Sequence, residues 1–400
     1  MKIKEIASHI RERVPSTSIR ADDYVSTDNM RPNFGGIEPS PSLPPSGNVT
    51  AYQEGDILLS NIRPYFRKTW LATHGGGCNA DVLCIRANPD KCLPKYLYYL
   101  FTTDNFVNDY LKSCKGAKMP RGDIQRLLDY EFNLPDLPTQ LRIAGVLGSI
   151  DEKIELNRKK IAELEALAKT IYDYWFVQFD FPDKNGKPYK SSGGKMVWND
   201  LLKREVPEGW EVGNLYTIAD FENGLACQRF RPKGDEASLP VIKIREMHDG
   251  INHDTERVSA NIPAKHRIAD GDLLFSWSAS LEAMIWCGGT GGLNQHIFKV
   301  TPRGEYSVEY VYRQLASYIV TFAKMAEARK TTMGHITADH IKQSRIILPS
   351  DEILSRFATG IKPIFDRRIF LRREIRVLEE QRDTLLPLLM NGQVEVRGEK

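Results

Sequence analysis

No two cysteines in this chain are spaced as C-x-x-C. The six stand at 78, 84, 92, 114, 227 and 287. That scatter argues against a zinc site and for free thiols in a reducing compartment. Long apolar runs are lacking too: none approaches the ~18 residues of a membrane span. The opening MKIKEIASHIRERV does not read as a secretory signal, and a cytoplasmic protein is expected. Charge of one sign is also scarce. Against 55 Lys and Arg stand 52 Asp and Glu, a net +3, so any face for nucleic acid has to be local.

The usual catalytic signatures are missing as well. There is no Gly-rich phosphate loop, and no Asn-Pro-Pro-Tyr or Asp-Pro-Pro-Tyr of amino-methyltransferases. The glycine runs Gly75-Gly76-Gly77 and Gly288 to Gly292 precede strand-like segments and read as hairpin turns. His335 and His340 are five apart, not at the i, i+4 spacing of a metal pair, and read as surface or capping residues.

What is present is a long heptad seam. Ile143, Leu147, Ile150, Ile154, Asn157, Ile161, Leu164, Ala168, Ile171 and Trp175 follow one another at alternating spacings of 4 and 3. This is the a/d pattern of a coiled coil with one polar layer at Asn157. At 1.5 Å per residue it forms a helix of roughly 50 Å. So narrow an apolar stripe needs a partner helix. Adding 214 to each number yields it: Phe357, Ile361, Ile364, Arg368, Leu371, Ile375, Leu378, Arg382, Leu385 and Leu389, with arginines as polar layers. Asp136 and Ser350 are the expected N-caps, and Pro363 is expected to kink the second helix.

The segments before the two helices also repeat. Gly55 to Ser60 is answered by Gly271 to Ser276, Asn79 to Ile85 by Asn294 to Val300, and the helix around Tyr96 by that around Tyr310. The order, spacing and residue types all agree, so a duplicated unit is expected. The division read from this is a first globular unit at 1–135, a first spacer helix at 136–178 and a flexible linker at 179–206. A second globular unit at 207–348 and a second spacer helix at 349–392 follow. In the first unit, Pro94 to Leu111 reads as one helix, and a strand is expected to lead into Pro135.

Basic residues gather in the loops. Arg63, Tyr65, Arg67 and Lys68 follow a strand; Lys115, Lys118 and Arg121 lie in a run with no acid until Asp123. In the second unit Gln228, Arg229, Arg231 and Lys233 share one loop, and Arg329, Lys330 and Thr332 another. Lys and Arg neutralise phosphates, while Arg and Gln can also fork onto base edges. Two such loops per repeat favour DNA binding.

At this point the chain resembles a specificity subunit of a type I restriction–modification enzyme. The resemblance is carried by Leu134-Pro-Asp-Leu-Pro-Thr-Gln-Leu-Arg-Ile-Ala-Gly-Val-Leu147, by Asp151-Glu-Lys-Ile-Glu-Leu-Asn157 and by Trp175-Phe-Val-Gln-Phe-Asp-Phe-Pro182. Pro207-Glu-Gly-Trp210 and Leu293-Asn-Gln-His-Ile-Phe-Lys299 extend it. It implies an α+β fold in which two similar mixed α/β target-recognition domains are separated by two long antiparallel coiled-coil helices, with pseudo-two-fold internal symmetry. It further implies a non-catalytic chain without cofactor of its own, each domain reading one half of a split DNA site. Two modification subunits, carrying S-adenosylmethionine, would dock on the helices, and restriction subunits using ATP and Mg²⁺ would join them. Reading heads on one DNA face stand about 34 Å apart or at multiples of that, which a helix of this length can span. The alternatives are a coiled-coil scaffold that binds only protein, and a single-chain DNA-modifying enzyme without a recognisable motif.

Overall fold

The computed structural model describes residues 1–116, 118–278, 280–328, 336 and 338–396. They divide into two compact units, Met1–Ile154 with Val377–Lys400, and Glu155–Arg376. The first unit is thus closed by the chain's last segment.

Unit 1 holds two four-stranded sheets. Strands β1 (Ala7–Ile10), β5 (Ile57–Ser60), β6 (Thr69–Leu71) and β8 (Val82–Ala87) form one, in the order β1-β8-β5-β6, antiparallel throughout. Strands β2 (Arg13–Pro15), β3 (Tyr24–Val25), β4 (Asn48–Tyr52) and β7 (Gly76–Cys78) form the other, in the order β2-β4-β7-β3. All four residues of β5 are buried, as a central strand requires. The turn before it is locked by charge. Asp56 is fully buried and accepts two hydrogen bonds from Arg86 on β8, at 2.7 and 2.8 Å. Gly55 supplies the positive φ of 86° that this turn needs.

Helices α1 (Pro94–Thr102) and α2 (Asp104–Lys112) cover the first sheet's core. They replace the single helix expected over Pro94–Leu111, because Thr103 turns extended and caps α2 through its hydroxyl. A short helix α3 (Ile124–Leu128) stands where a strand was expected before Pro135; only Glu131 bridges, to Lys2. The long helix α4 (Leu137–Tyr172) follows, with Asp136 accepting the Thr139 amide at its start.

Unit 2 repeats this plan. A hairpin of β9 (Met196–Asn199) and β10 (Arg204–Pro207) leads to β11 (Glu211–Gly213) and the short helix α5 (Leu215–Ile218). Strands β12 (Ala219–Asn223), β16 (Leu273–Ser276), β17 (Glu282–Ile285) and β19 (Ile297–Pro302) take the order β12-β19-β16-β17, the counterpart of β1-β8-β5-β6. Asp272 before β16 is held by Lys299 of β19 at 2.8 Å, as Asp56 is by Arg86. The second sheet comprises β13 (Ser238–Ile242), β14 (Arg257–Ser259), β15 (Arg267–Ile268) and β18 (Gly291–Leu293), in the order β14-β13-β18-β15. A short helix α6 (Ile244–Asp249) follows β13. Helices α7 (Val308–Ala328), α8 (Ala338–Lys342), strand β20 (Ile346–Leu348) and helix α9 (Asp351–Met390) complete the unit, α9 continuing into unit 1. Helices α3 and α8 start at 124 and 338, α4 and α9 at 137 and 351, each pair 214 apart. Among the described residues no helix is long and apolar enough to cross a membrane.

The glycine runs are turns only in part: Gly288 and Gly289 lie in the connection between β17 and β18, Gly289 with a positive φ of 89°, while most of the others lie in strands. Gly76 and Gly77 lie inside β7, and Gly291 and Gly292 inside β18, each an inner strand of its sheet. A Cβ on Gly76 would stand 2.1 Å from the Asp23 carbonyl, and one on Gly292 2.5 Å from Val258. Close approach, not turn geometry, demands glycine there. The segment expected to be a flexible linker is also packed. Phe179 and Phe181 are buried, and Phe181 stacks between Tyr189 at 4.6 Å and Trp210 at 5.1 Å. Asp180 accepts from the Ser191 amide and hydroxyl. His340 is buried rather than a surface residue, and His335 lies outside the described residues.

Within unit 2 the long helices run antiparallel. Asn157 meets Glu374, Glu165 meets Arg368 and Arg372, and Trp175 meets Phe357. Helix α9 passes through Pro363 as one element. Ile143, Leu147, Ile154, Asn157, Ile161, Ile361 and Leu371 are buried; Ile150, Leu164, Ile171, Ile364, Ile375, Leu378 and Leu385 are half-buried. Arg368 is 4% exposed. It donates to Glu309 of α7 at 2.6 Å and to Glu165 at 3.2 Å. Removing one partner of such a buried pair costs about 3–5 kcal/mol. Glu309→Ala is therefore expected to destabilise unit 2 by about 3 kcal/mol in denaturant unfolding. Glu309→Leu combined with Arg368→Met should recover most of it.

Candidate nucleic-acid interface

In unit 1 the two basic loops come together on one surface. The chain after β5 enters a 3-10 turn, Pro64–Phe66, flanked by Arg63 and Arg67 in left-handed backbone, φ 47° and 53°. The loop after α2 packs beside it. The Arg63 amide donates to the Pro120 carbonyl at 2.8 Å, the Gly122 amide to the Asn61 carbonyl, and the Tyr110 hydroxyl to the Asn61 side chain at 2.7 Å. Lys115 and Arg121 exchange both backbone hydrogen bonds, which closes this loop on itself.

The local charge is smaller than the sequence count suggests. Asp104 takes Arg67 at 2.6 Å and Asp81 takes Arg121 at 2.8 Å. Lys68 donates to the Thr27 carbonyl and sits 5.9 Å from the Phe66 ring. These acids come from other elements, so the run without an acid along the chain is not one in space. Lys115 and Lys118 are exposed and carry no ion pair among the described residues. Tyr65 is exposed, and so are Phe66 and Met119, two neighbours that sequence reasoning passed over. Their signal was an apolar pair in a Pro-interrupted loop with neither helical nor strand period.

In unit 2, Gln228, Arg229, Arg231 and Lys233 are exposed on a loop following β12, with Phe230 exposed among them. The Phe230 carbonyl accepts from the Ser259 amide, which ties the loop to the edge strand β14. This loop is not the counterpart of Arg63–Lys68. The stretch between β16 and β17, 277–281, holds that place and has no basic residue. There Trp277 is half-buried and donates to Asn223. Arg329, Lys330 and Thr332 lie outside the described residues. The cysteines are free, and burial pushes the Cys78 thiol up to about 12 and the Cys227 thiol up to about 11.

The chain thus holds two copies of one sheet plan, each followed by a long helix and each with exposed aromatic side chains on a loop. Residues 1–166 match the family described as type I restriction modification DNA specificity domain. The chain is 27% identical over 373 residues to the specificity subunit of the type I restriction enzyme MjaIX of Methanocaldococcus jannaschii, covering 87% of this chain and 80% of that one. It is 25% identical over 403 residues to the HindI specificity subunit of Haemophilus influenzae, covering 86% and 87%. Its fold is similar to the crystal structure of the type I restriction–modification S subunit from M. genitalium, with a TM-score of 0.58 at 14% identity, covering 98% and 95%. Over most of its length the chain is thus similar to specificity subunits of type I restriction–modification systems, and residues 1–166 match their DNA specificity domain.

The junction of the two unit 1 loops is open to a direct check. Tyr110 is buried, and its hydroxyl is the side-chain link to Asn61. Tyr110→Phe is expected to cost about 1 kcal/mol. Thermal unfolding should move down accordingly, and amide exchange should quicken at Asn61 and Gly122.

Proposed function

We propose that this chain is the DNA-reading subunit of a type I restriction–modification assembly, each unit recognising one half of a bipartite duplex site. One observation carries the reading. The same order in the larger sheet and the same charge-locked turn occur twice in the chain, and each copy exposes aromatic side chains on an arginine-bearing loop of its own, Tyr65 and Phe66 in one and Phe230 in the other. Two copies of one scaffold with different loops suit a target made of two unlike halves. Modification subunits, two in number, dock on α4 and α9. They hold S-adenosylmethionine and methylate adenine, and restriction subunits join with ATP and Mg²⁺. The chain itself performs no chemistry and works in the cytoplasm.

The first test is to express the chain with its neighbouring genes and map methylated adenines genome-wide. Replacing residues 208–348 by the matching part of another specificity subunit should then change one half of the mapped site and leave the other. A change in both halves, or in neither, speaks against independent reading.

The second test separates positioning from readout. Lysine suits phosphate as a point charge. Lys115→Ala with Lys118→Ala should weaken binding of the assembled enzyme to target and non-target duplex alike. The slope of log affinity against log salt should shrink by about 0.9 per lost contact. An unchanged slope removes this loop from the interface.

A further inference from the structure

The turn between β5 and β6 holds two aromatic side chains out in water. Tyr65 is 49% exposed and Phe66 39%; their ring centres lie 4.7 Å apart with planes inclined at 52°.

The backbone beneath them is held in an unfavourable form. Arg63 and Arg67, on either side of the turn, both have positive φ, and neither is glycine. Such conformations persist only where the surroundings over-determine them, and they cluster at functional sites. Here the surroundings do so from three directions. Pro64 is buried at the first position of the turn. The Asn33 and Phe34 amides donate to the Phe66 and Arg67 carbonyls, both at 2.9 Å, and the Arg63 amide is fixed on Pro120. Asp104 pins the Arg67 guanidinium, and Lys68 backs the Phe66 ring. The aromatic pair is a rigid projection.

Its shape and surroundings define the target. Two rings inclined at 52° make an edge, not the flat platform on which a splayed base would lie. Lys115 and Lys118, without ion-pair partners among the described residues, stand on the adjoining loop, and Met119 adds an exposed apolar side chain. An apolar edge among cations fits a duplex that is opened at one base step: the rings replace the lost stacking and the lysines take the phosphates of the kinked backbone. A protein partner would gain from the rings but would have to desolvate the lysines.

We propose that Tyr65 and Phe66 form a wedge that enters the base stack at one step of the half-site read by unit 1. The proposal rests on the DNA-reading function given above and adds its mode: specificity drawn from how easily one step unstacks, not only from base edges. Among the described residues no such pair stands at the matching place in unit 2. In unit 2 the corresponding stretch carries Trp277, half-buried and hydrogen-bonded to Asn223, and the exposed Phe230 projects from a different loop. The effect should therefore fall on one half of the site.

The test uses the assembled complex and a duplex bearing its mapped site, with single mismatches placed at each step in turn. A mismatch lowers the cost of unstacking in advance. Wild type should bind about tenfold more tightly when the mismatch falls at the wedged step, in one half only. Tyr65→Ala with Phe66→Ala should bind the matched site more weakly and lose that gain. Tyr65→Phe with Phe66→Leu, which keeps an apolar edge, should retain it. Salt-dependent binding by the double alanine variant equal to wild type on matched and mismatched duplexes overturns the wedge and leaves DNA reading standing. Loss of assembly with the modification subunits in place of loss of DNA affinity also overturns it, because the pair would then be a protein contact. Wild-type complex that binds no duplex overturns both.

Discussion

A guanidinium buried inside a helix pair must be met by carboxylates, because an uncompensated charge there costs more than most single contacts contribute. Arg368 is met by two, Glu309 from α7 and Glu165 from α4. Arg313 grips Glu309 from the far side and Arg372 shares Glu165. One cluster thus joins three elements of unit 2: both long helices and the helix that covers its sheet. The apolar seam alone would tolerate a slip of one heptad. The charge cluster, with the Asn157–Glu374 layer beside it, does not.

Unit 1 solves the same problem with other chemistry. Asp151 on α4 accepts from the Tyr99 hydroxyl and from Arg382 on α9, and Lys95 pairs with Glu152. Positions 95 and 99, moved by 214, become 309 and 313. Lysine in one copy is thus glutamate in the other, and tyrosine is arginine. The two latches are not interchangeable: α1 in the place of α7 would bring Lys95 against Arg368. The small sheets have diverged in a different way. Each keeps three strands about a glycine-bearing one, β4-β7-β3 and β15-β18-β13, but the fourth strand joins β4 in one copy and β13 in the other. The sheet carrying the charge-locked turn is common to both copies, and the loops and edges differ.

The helices and the duplication were legible because their signals are local or periodic. A heptad needs only its own residues, and a repeat needs only a constant offset. What escaped depends on contacts between distant segments. Gly76 and Gly292 look like turn residues until Asp23 and Val258 are found against them. The basic loops look fully cationic until Asp104 and Asp81 arrive from elsewhere. Phe179 and Phe181 sit in a Gly- and Lys-rich stretch that reads as a joint, and only Trp210 and Tyr189 reveal why they are buried. Arg368 was visible as a polar layer, but its partner Glu309 lies 59 residues away on a different helix.

The first unit borrows its last piece from the end of the chain. Leu389 is part of its core, and Leu385, Leu386 and Met390 pack against it, beside Ile143 and Leu147. Unit 2 is one uninterrupted stretch from Glu155 to Arg376. During synthesis, which runs at about 5–20 residues per second, the second half of the molecule therefore has all its residues before the first does. The nascent amino-terminal sheets must wait with the Ile143–Leu147 face uncovered until the carboxy-terminal turns of α9 leave the ribosome. A chain that stops short of Val377 leaves unit 2 with every residue it needs and unit 1 open along that face.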